Sequence, residues 1–130
     1  MNVETVETES KTIKVLLDAD PRFAAAIGGA ARYLADSAGM ENDAIAQLQA
    51  AVISACNDAF KLLTPAHPHL TATISKLPDR LEVVLSCECS EKPAGGKESL
   101  GGVDRVQHET QGNIGITRLT KFINQGAPSR

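Results

Sequence analysis

Between residues 45 and 62 the chain places Ile45, Leu48, Val52, Ala55, Ala59 and Leu62 at intervals of three and four. That period is one face of an α-helix. Asn42 or Asp43 caps its start, and the prolines of TPAHPH end it near Leu63. Upstream, TIKVLLD (residues 12–18) is β-branched and apolar between polar flanks, and predicts a strand. DADPRF then opens a second helix, with Asp20 at the N-cap and Pro21 at the first helical position. Phe23, Ile27, Ala30 and Leu34 form its apolar stripe, and Gly39 stops it. The internal pair Gly28-Gly29 costs helix propensity, which predicts close packing against another element.

Past the connector, HLTATISKL and RLEVVLSCEC read as two strands turning at Pro78-Asp79, an antiparallel hairpin. Residues 90–111 are rich in glycine and charge and predict a long loop. NIGITRLTKFIN sets Ile116, Leu119, Phe122 and Ile123 on one side and predicts a third helix. The order β-α-α-β-β-loop-α gives an α/β (α+β) fold, a two-layer sandwich of mostly antiparallel sheet with helices on one face. Residues 1–11 and 126–130 read as tails around one domain, 12–125.

The 130 residues suffice for one domain with a real core. Aromatics are 3% with no Trp, so Leu, Ile, Val and Ala must fill that core. Their scarcity also argues against base-stacking platforms, and a net charge of −3 gives no electrostatic footprint for nucleic acid. No apolar run approaches the roughly 18 residues a bilayer span needs. The polar, acidic start lacks the signature of a signal peptide. Three cysteines, an odd count, suit reduced thiols in a cytoplasm.

Candidate chemistry starts with Ser54, Asn57, Asp58 and Lys61 on the flank of the 45–62 helix. They suit a nucleotide or Mg²⁺ pocket, and equally a solvated flank on which Asp58 and Lys61 form an i,i+3 pair. Cys87-x-Cys89 and His67-x-His69 suggest metal ligands, but neither has the spacing of a structural zinc site. Buried free thiols behave as small hydrophobes, which is the plainer reading of Cys87 and Cys89. His108 falls in the charged loop and reads as solvated.

The element order, with DADPRFAAAIGGAARYLADSAGM, LQAAVISACNDAFKLL, DRLEVVLSCEC and GNIGITRLTKFIN, resembles the anti-sigma-factor serine/threonine kinases. These are small ATPases of the GHKL, histidine-kinase-like fold. The resemblance spans roughly residues 12–125 and implies ATP and Mg²⁺ as cofactors. It sets Ser54 where the family has its general-base Glu, and a hydroxyl cannot take a proton there as a carboxylate does. It sets Asp58 where the family's Asn holds Mg²⁺, a role that a carboxylate also fills. Shifting by one to use Asn57 would bring Ile53 to the base position.

The family's adenine-reading Asp falls near Ser86, Cys87 or Glu88, of which Glu88 is the candidate. Gly112, Gly115 and Ile116 match the glycine turn before the helix whose amides cradle phosphate, and the loop 90–111 matches the ATP lid. The family has one more strand after that helix, which this chain lacks on this reading. Asn57, Asp58, Glu88, Gly112, Gly115 and Ile116 are thus the nucleotide-binding candidates. With the base position altered, the expected function is protein–protein partner switching with a sigma factor or an anti-sigma-factor antagonist. An active ATP-dependent kinase of such an antagonist is the alternative. The resemblance further implies a cytoplasmic homodimer without membrane or direct nucleic-acid contact. An unrelated sandwich with the same pattern is the third possibility.

Overall fold

The computed structural model describes residues 11–89 and 100–123. They form β1 (Lys11–Asp18), α1 (Pro21–Ser37), α2 (Asn42–Phe60), β2 (His69–Lys76), β3 (Arg80–Glu88), β4 (Arg105–Gln111) and β5 (Ile114–Phe122). The five strands make one sheet in the order β1-β2-β3-β5-β4, and every neighbouring pair is antiparallel.

Strand alternation gives the sheet two unlike faces. Leu17, Leu70, Ala72, Ile74, Leu81, Val83, Leu85 and Leu119 point inward and are buried with the apolar stripes of both helices. The opposite face has no helix among the described residues. Its side chains, such as Thr71, Val84, Ser86 and Ile116, are half-buried by their own neighbours.

The first helix begins as its sequence requires. Asp20 is in extended backbone, its carboxylate accepts from the Arg22 amide at 2.9 Å, and Pro21 stands at the first helical position. The Arg22 guanidinium closes on the same carboxylate at 2.7 Å, and this bond, with the amide, holds the Asp20 pKa below the ordinary range. Beyond Ser37, Gly39 takes φ +82°, the left-handed conformation that ends a helix at least cost to glycine.

The α1–α2 contact explains half of the glycine pair. A Cβ on Gly28 would lie 2.6 Å from Cγ1 of Ile53 on α2, whereas one on Gly29 would meet nothing within 4 Å.

Several expectations are corrected. The helix expected over NIGITRLTKFIN is strand β5, paired along its whole length with β3 and β4. Residues 105–111, expected within the long loop, are its partner β4. Gly112-Asn113 is a two-residue hairpin loop with Gly112 at φ +62°, a turn that glycine adopts without strain. The residue preceding α2 is Glu41, without a side-chain cap, so neither Asn42 nor Asp43 caps the helix. Phe23, assigned to the buried stripe, is 39% exposed. Lys11, assigned to a tail, begins β1. Residues 1–10, 90–99 and 124–130, which include most of both tails and part of the expected lid, lie outside the described residues.

Two substitutions separate packing from propensity at the glycine pair. Gly28→Ala is expected to destabilise the fold by about 1 kcal/mol or more, because Ile53 must move. Gly29→Ala, with open space and better helix propensity, is expected to stabilise it by up to about 1 kcal/mol. Chemical denaturation of both variants checks the difference in sign.

Candidate functional site

On α2, Ser54 and Asn57 are half-buried and Asp58 is exposed, as is Lys61 at the C-cap. Asp58 Oδ1 lies 3.8 Å from Lys61 Nζ, with the two side chains 52% and 78% exposed, a solvated pair of little energetic weight. Gln47, Ala51, Ser54 and Asp58 follow one another at i, i+4, i+7 and i+11, a single stripe along α2. The stripe lies on the flank away from α1, since Gln49 and Ile53 are the residues that meet α1.

Towards its N-terminal end this flank is covered. Gly102, at φ +100°, passes so close to α2 that a Cβ there would overlap the backbone carbonyl of Gln47. Leu100 and Val103, on either side, pack against the core. Asp104 then anchors the segment to β5: its amide donates to the Thr120 carbonyl at 2.8 Å, and its carboxylate accepts from the Phe122 amide at 2.7 Å.

The other nucleotide candidates are dispersed. Alternation along β3 sends Leu81, Val83, Leu85 and Cys87 inward, and so sends Glu88 to the open face. Glu88 meets His67 there, Oε1 to Nε2 at 3.2 Å, with the sheet between it and α2. Gly115 is buried on β5 opposite Cys87, and Ile116 is half-buried opposite Ser86. Gly112 caps the β4–β5 hairpin. Neither Gly112 nor Gly115 starts a helix, so the expected amide cradle for phosphate is not formed at either. The structure brings Ser54 and Asp58 onto one stripe and separates them from Glu88.

The open face has its own concavity. Thr64, Pro65, Ala66 and His67 form a turn closed by the His67 amide, which donates to the Thr64 carbonyl at 3.1 Å. Pro65 supplies the fixed φ that such a turn favours at its second position. The turn lifts His67 over the end of β3. Beside it, His69 Nε2 stands 3.0 Å from Asp18 Oδ1 across the β1–β2 pair. His67, Glu88 and His69 line a groove of about 340 Å³, together with Thr71, Ser86 and Ile114. A second depression, lined by Thr64, Cys89 and Asn113, shares His67 and Glu88 with the first.

The remaining metal candidates are parted by the same alternation. Cys87 and Cys89 are buried on the inner side, whereas His67 reaches the open face through Glu88. Among the described residues no group of three or more His, Cys, Asp or Glu could hold a metal ion. Burial pushes the Cys56 thiol up to about 12 and, together with the neighbouring Cys89, the Cys87 thiol up to about 11. His108 stands on β4 with Nδ1 3.1 Å from the Thr117 hydroxyl, on an exposed strand and not in a loop.

The groove draws on His67, which sequence reading treated only as a metal ligand, and on a hairpin it missed. Gly112-Asn113 between RVQHETQ and IGITRLTKF is a hairpin signal in its own right.

No family model matches the chain, and comparison with characterised proteins gives no match. No helix among the described residues is long and apolar enough to cross a membrane.

Thiol reactivity tests the inward placement of the cysteines. At pH 8, N-ethylmaleimide followed by peptide mass spectrometry is expected to leave Cys56 and Cys87 largely unmodified in the native chain. Both should label fully in guanidinium. Rapid native labelling of Cys87 would contradict its position.

Proposed function

We propose that the chain is a binding module in a partner-switching system of the anti-sigma-factor type, acting in the cytoplasm without phosphoryl transfer of its own. Its partner on this reading is a sigma factor or an anti-sigma-factor antagonist. The observation that carries it is the separation of the nucleotide candidates: Asp58 on the outer flank of α2, Glu88 across the sheet on His67, and Gly112 in a hairpin loop.

Phosphoryl transfer depends on positioning and on charge stabilisation around the phosphates. Residues on opposite sides of a sheet supply neither together. Ser54 stands where a proton acceptor would be needed, and a hydroxyl has no basicity for that task near neutral pH. Binding has no such requirement. The open face offers half-buried threonine, serine and isoleucine beside the His67–Glu88 groove, the mixture of apolar area and polar anchors that transient protein interfaces use.

Calorimetric titration with ATP, with and without Mg²⁺, tests this reading. No Mg²⁺-dependent binding is expected up to millimolar nucleotide, and Asp58→Ala should behave as the wild type. Micromolar, Mg²⁺-dependent binding that disappears in Asp58→Ala would overturn it and restore the ATP-dependent kinase as the function.

A further inference from the structure

The strand register sorts the open face of the sheet by charge. Lys14, Thr73, Val84 and Arg118 share one row across β1, β2, β3 and β5, and Glu82 and Arg105 stand either side of Thr120 in the next. Arg80 pairs with Glu82 at 3.0 Å and with Asp79 at 2.8 Å, and Arg118 reaches the same Glu82 at 3.5 Å. The cations Lys14, Arg80, Arg105 and Arg118 outnumber these carboxylates, so this end of the face is positive.

Towards the other end the sign reverses. Glu109 shares the row of Leu16 and Ile116, and beyond that row stand Asp18 and Glu88, each beside a histidine. Ile114 and Ile116 on β5 and Val84 on β3 are half-buried and form an apolar track along the strands, from the negative end to the positive. Alternate residues of a strand rise about 7 Å per pair, so the row of Arg105 and the row of Glu88 are roughly 20 Å apart.

We infer that this face receives an amphipathic α-helix of a partner protein, laid along β3 and β5. Its first turns carry Asp or Glu over the arginine end, and its last turns carry Lys or Arg over Asp18, Glu88 and Glu109. The inference rests on the reading of the chain as a binding module and names the chemistry of what it binds. That order of charge is also the one a helix favours on its own, acidic at the N-terminus and basic at the C-terminus. About 13 residues of helix span the distance between the poles. An apolar stripe at helical spacing covers Ile114, Ile116 and Val84, as a helical layer covers a sheet elsewhere in two-layer folds. A basic side chain of the last turn enters the groove of about 340 Å³, where the Glu88 carboxylate and the Thr71 and Ser86 hydroxyls are acceptors for its protons. A second copy laid face to face would instead bury the Thr71, Thr73 and Ser75 hydroxyls of β2 in a flat contact, whereas a helix over β3 and β5 leaves them in water.

Methyl NMR of the full chain, titrated with a synthetic peptide, tests this. The peptide is a leucine-striped helix of about 14 residues, with glutamates in its first turns and lysines in its last. A control peptide has the same residues with the two charges exchanged. Methyl signals of Leu16, Val84 and Ile116 are expected to shift, and those of Val83, Leu85 and Leu119 on the inner face to stay. The control should bind about tenfold or more weakly. The variant Lys14→Glu with Arg118→Glu should lose the preference between the peptides, with its inner methyl signals unchanged as the sign that it is folded. Silent open-face methyls, equal binding of the two peptides, or a preference that survives in the variant overturns the inference. Open-face methyls that shift with protein concentration alone would make a second copy the occupant, and overturn it too. Nucleotide affinity, measured separately, decides the binding-only reading, so the failure of either is read apart from the other.

Discussion

The two-residue alternation along β3 is the constraint on which the rest depends. Leu81, Val83, Leu85 and Cys87 must all face the helices, because they supply the centre of a core that contains almost no aromatic side chains. A slip of one residue would expose all four and bury Arg80, Glu82 and Ser86. With that register fixed, Glu88 has no choice but the open face. Its distance from α2 is a consequence of core packing, and so is its meeting with His67. The same alternation buries Cys87 and Cys89 on one side of the sheet and leaves the paired histidines with carboxylates on the other.

Much of the fold was legible where local chemistry and tertiary packing agree. The Asp20 cap followed by Pro21, the Gly39 stop, the α2 stripe and the Pro78-Asp79 hairpin are each specified by a few adjacent residues. β5 was misread because Ile116, Leu119, Phe122 and Ile123 satisfy helical spacing, while its β-branched residues and the Gly-Asn turn before it favour a strand. The tertiary context decides: β3 needs a partner on its second edge, and the register Val83–Leu119 buries Leu119 in the core. The candidate site was less legible still. A site drawn from several elements depends on which face each residue occupies, and one misassigned element moves Gly112, Gly115 and Ile116 together.

Gly28 and Gly102 show how the α2 layer is closed on both flanks. On one side Gly28 lets α1 approach Ile53; on the other Gly102 lets the segment before β4 lie against the α2 backbone. The exposed positions of α2 are Asn42, Asp43, Ala46, Gln47, Ala50 and Asp58, while Ser54 and Asn57 are half-buried.

The dispersal of the nucleotide candidates Gly112, Gly115 and Ile116 depends on residues 114–122 being a strand. Backbone NMR of the full chain addresses that most directly, through secondary chemical shifts and cross-strand contacts. Extended shifts throughout, with contacts from Glu109 to Ile116 and from Thr110 to Gly115, are the predicted result. Helical shifts from Gly115 onward, with sequential amide–amide contacts, would contradict it and return the glycines to the start of a helix.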